Sequence, residues 1–163
     1  MILILYTTLY RKGGEKFART ARTLAGERKR AHPDRSVEHH AVESKAAFIE
    51  AIAKVAARGE EIDELHFIGH SGVYGPMFAT TDWPEQLSPH EWRTLAIPFA
   101  AGAEARFHAC RTARWFAPFF ARTFGVRTWG YHWYTCFSLA PDRFVWERRS
   151  GTADDPLWVV SIG

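Results

Sequence analysis

The chain has 163 residues, a formal net charge of +3 and 47% hydrophobic residues, a composition typical of a globular protein with one domain. No apolar run reaches the ~18 residues of a membrane span, and the apolar start Met1–Tyr6 is too short for a signal peptide and follows no basic segment. Two cysteines, Cys110 and Cys136, are too few for a disulfide framework. We therefore expect one domain over residues 1–163, located in the cytoplasm without membrane contact and with free thiols.

Basic residues are concentrated between Arg19 and Arg35. They fall on a predicted helix and the loop after it, where a solvated charged face is the ordinary interpretation. Neither interleaved aromatic residues nor a nucleic-acid-binding motif accompanies them. A nucleic-acid partner is therefore not expected.

Apolar segments with strand character alternate with segments of helical periodicity along most of the chain. The predicted strands are Ile2–Thr7, Ser36–Val42, Leu65–Gly69, Ala105–Ala109 and Val126–Tyr131. The predicted helices are Glu15–Arg28, Lys45–Arg58, Ser88–Ala100 and Trp115–Phe124. This alternation implies right-handed crossovers and a mostly parallel sheet. We predict an α/β fold, a three-layer sandwich of about six strands with helices on both faces.

The remaining segments carry weaker signals. Ser44 and Ser88 are suitable N-caps for the helices that follow them. Val73–Thr81 is predicted to be a small extended excursion between the third strand and the third helix. Near the end of the chain, Phe144–Arg149 and Leu157–Ile162 are predicted to pair with each other and complete the sheet.

Two of the predicted strands end beside reactive side chains, His70 after the third strand and Cys110 after the fourth. The carboxyl ends of parallel strands meet at the edge where α/β proteins bind ligands. A free thiol titrates near 8.5, and a neighbouring imidazole or helix N-terminus increases its thiolate fraction at neutral pH. The two residues therefore predict nucleophilic catalysis by a cysteine with a histidine as its base.

The order of these segments resembles the caspase-like cysteine peptidases, a group that includes caspases, metacaspases, gingipains, clostripain, separase and CHAT-domain proteases. In that group a strand ending in His-Gly is followed by a hairpin, a helix, a strand ending in the catalytic Cys, another helix and another strand. The chain follows this order from Met1 to Ser138, and Ala109-Cys110-Arg111 agrees with the caspase signature. It departs from the family at Ser71, His108 and Thr112, where the family has Gly, Gln and Gly.

The resemblance implies a cysteine endopeptidase, a thiol hydrolase that acts on a peptide or protein substrate without a metal or other cofactor. Cys110 is then the nucleophile, His70 the base, and the backbone N–H groups of Ser71, Gly72 and Cys110 form the oxyanion hole. The implied substrate-binding residues are Asp82, Trp83, Arg111, His132, Trp133 and Tyr134. By the same analogy, an open strand edge near the C-terminus would suit a homodimer.

Two other interpretations stay open. The inserted Ser71 and the lack of a recognisable specificity pocket also fit a catalytically inactive binding or scaffold module on the same fold. A His/Cys metal site is the third interpretation, although no close-spaced ligand pair is present; its residues would be His66, His70, His108, Cys110 and His132. We expect His66 and His108 to be buried and bonded to the backbone, and strand alternation places His108 on the same face as Cys110.

Overall fold

The computed structural model describes residues 1–8, 13–78, 85–137, 146–147 and 158–161. The helices are α1 (Gly14–Ala31), α2 (Lys45–Ala57), α3 (Pro89–Thr94) and α4 (Phe116–Phe124). The strands before α3 are β1 (Ile2–Tyr6), β2 (Val37–Ala41), β3 (Ile62–Ile68), β4 (His70–Gly72) and β5 (Gly75–Met77). Those after α3 are β6 (Phe99–His108), β7 (Arg127–Tyr131), β8 (Cys136–Phe137), β9 (Trp146–Glu147) and β10 (Trp158–Ser161).

The central sheet has the strand order β10-β7-β6-β3-β1-β2. Five of these strands, from β7 to β2, run parallel, and β10 is antiparallel to β7. Two small pairs, β4–β5 and β8–β9, lie outside the central sheet. The predicted α/β class and the mostly parallel sheet are confirmed.

Strand β1 shows how the sheet is buried on both faces, because its side chains alternate between two separate apolar clusters. Leu3 and Leu5 belong to a cluster that includes buried residues of α2, α3 and α4. Ile2 and Ile4 belong to another cluster, together with the buried apolar residues of α1. Helices therefore pack against the two faces of β1, an arrangement that fits a three-layer sandwich.

The third helix is much shorter than the predicted Ser88–Ala100. The predicted capping box at Ser88 and Glu91 is present, but α3 ends at Thr94 and residue 99 already belongs to β6. Pro98 prevents the predicted helix from continuing to Ala100, because it has no N–H to donate to Thr94 and disfavours a helical conformation in the residue before it. The chain has already left the helix at Leu95, which is extended. Consequently β6 begins six residues earlier than the predicted Ala105.

The predicted pairing of the two C-terminal segments is wrong. β10 pairs with β7 and extends the central sheet, whereas β9 pairs with β8 in a separate two-stranded unit. The sequence pattern missed β8 because a strand of two residues, Cys136–Phe137, is too short to show alternation. An open hydrogen-bonding edge on β7 is thereby covered by β10, as edge strands in natural proteins usually are.

None of the described helices combines the length and the apolar composition needed to cross a membrane.

Candidate active site

The ends of β3 and β6 lie side by side and carry the two predicted catalytic residues. The two strands are parallel neighbours, with Ile68 paired with His108 at their carboxyl ends. His70 follows β3 after Gly69, and Cys110 follows β6 after Ala109. The sheet therefore delivers both residues to the same edge, as the sequence predicts.

Two hydrogen bonds join the segments that hold these residues. The N–H of Gly69 donates to the carbonyl oxygen of His108 over 3.4 Å. The Ser71 hydroxyl donates to the carbonyl oxygen of Cys110. The residues on both sides of His70 are therefore tied to the segment that ends in Cys110.

Thr135 surrounds the half-buried Cys110 sulfur with polar atoms. Its backbone N–H donates to Cys110 Sγ over 3.4 Å, its hydroxyl oxygen lies 3.6 Å from the sulfur, and its carbonyl oxygen lies 4.0 Å away. These contacts hold the sulfur beside the segment that follows β7. Sequence reasoning missed this role, because only the fold places residue 135 over the sulfur.

The loop after Cys110 is held tightly against the end of β7. The N–H of Arg111 donates to the Trp133 carbonyl over 2.9 Å, and Arg111 has a positive φ of 57°. The Thr112 hydroxyl bonds to the carbonyl oxygens of Phe107 (3.2 Å) and Ala109 (3.0 Å). These bonds fix the position of Cys110 within a turn rather than within the strand.

The backbone of β7 approaches this loop so closely that only glycine fits at residue 130. A Cβ atom there would lie 2.7 Å from Thr112 Oγ1 and 2.8 Å from the backbone nitrogen of Ala113. Because one of these atoms belongs to the backbone, a larger residue requires the Cys110 loop to shift.

His70 is half-buried and packs against the start of α1. Its ring makes an edge contact with Phe17 at 5.1 Å between ring centroids, and Phe17 in turn makes an edge contact with Phe137 at 4.9 Å. The first turns of α1 and strand β8 thus form an apolar support beneath the imidazole. Sequence reasoning did not connect either aromatic residue with the site.

The short hairpin β4–β5 determines the direction in which the Ser71 backbone N–H points. Gly72 pairs with Gly75 across the two-residue turn, and Ser71 pairs with Pro76. In a two-residue hairpin the pair next to the turn is hydrogen-bonded and the next pair is not. The Ser71 N–H therefore points away from β5, the orientation that a donor to a bound ligand requires.

Exposed aromatic residues and arginines cover the surface next to Cys110. The Arg111 guanidinium lies 4.2 Å from the Tyr134 ring centroid, and the Arg114 guanidinium lies 4.6 Å from the Trp133 ring centroid. His132 is half-buried, and its carbonyl oxygen accepts a hydrogen bond from Arg114 Nε over 2.8 Å.

The predicted residues Arg111, His132, Trp133 and Tyr134 are therefore close together, and Arg114 is an addition that sequence reasoning missed. In the sequence, Arg114 could have been found from its spacing of three residues after Arg111, which places both arginines in the same turn. The predicted substrate-binding residues Asp82 and Trp83 lie outside the described residues, as does the side chain of Cys136.

His66 and His108 are buried as predicted, but they bond to side chains rather than to the backbone. His66 Nδ1 lies 3.0 Å from His108 Nε2, and His66 Nε2 lies 3.0 Å from Glu64 Oε2. Because the ionised carboxylate can only accept a hydrogen bond, His66 Nε2 donates to it, and Nδ1 of a neutral His66 then accepts a hydrogen bond from His108 Nε2. The Arg28 guanidinium completes the cluster, 3.2 Å from Glu64.

Burial disfavours the charged form of both histidines in this cluster. Burial lowers the pKa of His66, and burial together with nearby positive charge lowers the pKa of His108 well below its usual value. Burial alone would raise the pKa of Glu64, but the hydrogen bond from His66 and the charge of Arg28 lower it to about 2.

The prediction that His108 and Cys110 lie on the same face assumed a regular strand that continues through both residues. Instead, β6 ends at His108, and the N–H of Ala109 donates to the carbonyl of Phe107 over 2.9 Å. The regular alternation of side chains therefore stops before Cys110. Among the described residues, no group of three or more His, Cys, Asp or Glu side chains is arranged so that it could hold a metal ion.

Neither a protein-family model nor a curated protein sequence matches the chain.

Proposed function

We propose that the protein is a caspase-like cysteine endopeptidase in which Cys110 is the nucleophile and His70 the base. The observation that carries the proposal is the pair of bonds from Gly69 to His108 and from Ser71 to Cys110. They hold the segments of the two reactive residues together at the carboxyl edge of a parallel sheet, where α/β proteins bind their ligands.

The order of elements around this edge supports the proposal. β3, the β4–β5 hairpin, α3, β6, α4 and β7 follow one another along the chain. This is the order expected from the resemblance to caspase-like peptidases. A caspase-like sheet of about six strands and a location in the reducing cytoplasm are parts of the same proposal.

The reaction would follow the chemistry of a cysteine–histidine pair. The Cys110 thiolate attacks the peptide carbonyl carbon, and the resulting oxyanion accepts hydrogen bonds from the backbone N–H groups of Ser71 or Cys110. The expected third donor, the Gly72 N–H, faces Gly75 across the hairpin instead. His70 gives the thiol proton to the leaving amine as the C–N bond breaks. Water activated by His70 then hydrolyses the thioester, which releases the acid and restores the thiol.

The direct test is hydrolysis of a quenched fluorescent peptide library of mixed sequence by the full chain. Cys110→Ala and His70→Ala should each lower the rate about 10³-fold or more, and Cys136→Ser, which removes the other thiol, should leave it unchanged. Wild-type rates in folded Cys110→Ala would contradict the proposal. So would a wild-type chain that cleaves no peptide and whose Cys110 reacts no faster than a free thiol.

A binding module without catalysis is the second candidate, and one observation favours it. Tyr74, Trp115, Trp133 and Tyr134 are all exposed, and exposed aromatic residues are enriched in protein interaction surfaces. Peptide binding that is equally tight in wild type and in Cys110→Ala, without hydrolysis, would establish this function.

A further inference from the structure

Strand β2 (Val37–Ala41) is an edge of the central sheet. The order β10-β7-β6-β3-β1-β2 places β1 on one side of it and no described strand on the other. Its last three residues are exposed and its first two are half-buried. Natural proteins usually cover or protect such an edge, because its free N–H and C=O groups can pair with another strand. The described part of the chain therefore leaves the outer side of β2 open to an additional strand.

The register between β1 and β2 determines which backbone groups of β2 point outward. At the start of the pair, the N–H of Ile2 donates to the Ser36 carbonyl oxygen over 2.8 Å. At the end, the N–H of Val42 donates to the Tyr6 carbonyl oxygen over 2.8 Å. Because bonding to one neighbour alternates along a strand, the even-numbered residues of β2 bond to β1 and the odd-numbered residues face away from it. The outward-facing residues are Val37, His39 and Ala41.

A second copy of the chain can pair with this edge in the antiparallel sense, about a two-fold axis. The position of the axis decides which side chains face each other. An axis at Glu38 places two carboxylates opposite each other, and an axis at His40 places two imidazoles opposite each other. An axis at His39 pairs all five residues of β2 and places Glu38 of each copy opposite His40 of the other. Oppositely charged pairs across strands are favourable and like charges are not, so the side chains favour the axis at His39.

The face of β2 that carries Glu38 and His40 has room for this contact. Glu38 Oε1 accepts a hydrogen bond from Arg58, and Glu38 Oε2 accepts one from His40 Nε2, each over 3.0 Å. A carboxylate has about four acceptor sites, so both oxygens can accept a further donor. A cavity of about 240 Å³ lies between these side chains and α2, so α2 does not fill the space beside them. On the opposite face, the His39 ring lies 6.2 Å from the Tyr6 ring of β1, measured between centroids.

We propose that two copies of the chain associate through β2, antiparallel about a two-fold axis at His39, so that one sheet continues through both copies. In this register Val37 exchanges backbone hydrogen bonds with Ala41 of the second copy, and His39 does so with His39. The resemblance to caspase-like peptidases implies a homodimer at the C-terminal edge, which is the other edge of the sheet. The association through β2 goes beyond the proposed function and does not depend on it, because β2 contains none of the proposed catalytic residues.

The test is sedimentation equilibrium of the full chain over a wide range of concentrations, with matched variants at residue 39. His39→Ala and His39→Pro both remove the ring, but only proline removes the outward N–H, and an edge strand tolerates proline where that N–H faces away from the sheet. We expect similar dimer dissociation constants for wild type and His39→Ala, and a constant at least about tenfold higher for His39→Pro. Equal association of the Ala and Pro variants would overturn the proposal. So would a wild-type chain that stays monomeric up to about 1 mM, which would leave the edge to an extended segment of another protein.

Charge variants test the contact between side chains and leave the backbone groups in place, so they remain informative if His39→Pro fails to fold. Glu38→Lys and His40→Glu should each weaken association several-fold, because each leaves the two copies without an oppositely charged pair across the axis. The double variant restores such a pair in reversed order and should recover most of the loss. Glu61→Lys is the control for the charge change, because Glu61 is exposed and precedes the inner strand β3. A double variant that associates no better than the single variants would overturn the proposal.

Disulfide formation between copies tests the position of the axis. In a background that carries Cys110→Ala and Cys136→Ser, we compare His39→Cys with Glu38→Cys under mild oxidation. At a hydrogen-bonded antiparallel pair the Cα atoms lie about 5.5 Å apart, which is within the reach of a disulfide. His39→Cys should therefore form a covalent dimer faster than Glu38→Cys. Faster dimerisation of Glu38→Cys would place the axis at residue 38 and would overturn the proposed register.

Discussion

Ser71 and Cys110 are joined across the carboxyl edge of the sheet by a hydrogen bond from the Ser71 hydroxyl to the Cys110 carbonyl oxygen. This bond is made by a residue that departs from the caspase-like pattern, since Ser71 stands where that pattern has glycine. The serine hydroxyl couples the loop that carries His70 to the loop that carries Cys110.

Ser71→Ala removes this hydroxyl and keeps the backbone N–H. We expect it to lower the free energy of unfolding by about 0.5–1.5 kcal/mol and to slow alkylation of Cys110, because the hydrogen bond between the two loops is lost. Ser71→Thr keeps a hydroxyl and should restore most of both properties. Hydrogen exchange and iodoacetamide labelling measure the two effects. Equal behaviour of the Ala and Thr variants would show that the bond does not position Cys110.

Gly130→Ala tests the close approach of β7 to the Cys110 loop. The added Cβ meets the Ala113 nitrogen, so we expect a loss of about 1–3 kcal/mol in unfolding free energy and slower alkylation of Cys110. Gly59→Ala is the control. Gly59 has a φ of +68° and no neighbouring atom within 4 Å of an added Cβ, so alanine there is strained without touching the site. If both variants change the labelling rate equally, the contact at residue 130 does not position the cysteine.

The buried histidine cluster predicts acid sensitivity of the fold. The pKa values of His66 and His108 are lowered in the folded state, so below about pH 6.5 the unfolded chain binds protons that the folded chain does not. Stability should therefore fall as the pH falls below about 6.5, by up to about 1.4 kcal/mol per pH unit for each histidine. Glu64, whose pKa is lowered from 4.5 to about 2, adds a further loss of stability as the pH falls between these two values.

Urea unfolding at several pH values measures this slope. His108→Gln should reduce it between pH 6.5 and 5, even if its stability at pH 7.5 is lower, because one of the two buried imidazoles is gone. His90→Gln removes an exposed histidine and should leave the slope unchanged. A wild-type slope that His108→Gln does not alter would contradict the account of the cluster.

The sequence was sufficient to predict the elements of the sheet that have clear apolar patterns. β1 is a continuous apolar run buried on both faces, and its prediction differs from the structure by one residue. The helix after Ser44 begins as predicted, because the Ser44 side chain accepts a hydrogen bond from the Ala47 N–H. Patterns of this kind are local, so a single sequence contains them.

What the sequence did not predict depends on contacts between distant segments. The Thr135 contacts with Cys110 arise because the segment between β7 and β8 lies against the Cys110 loop, and no local pattern indicates this. The His66–His108 bond likewise depends on the register between β3 and β6. The C-terminal pairing was mispredicted because a neighbouring hairpin is the simplest interpretation of two adjacent strands, whereas the open edge of β7 is visible only in the sheet.

The central claim is that His70 activates Cys110, and the most direct measurement is the rate of iodoacetamide labelling of Cys110 between pH 5.5 and 9. It is made in a Cys136→Ser background, in the otherwise wild-type chain and in His70→Ala, with a free-thiol peptide as reference. The account predicts that at pH 6.5–7 Cys110 reacts faster than the reference and that His70→Ala removes this advantage. A Cys110 that reacts no faster than the reference, or whose rate His70→Ala does not change in a folded protein, would contradict it.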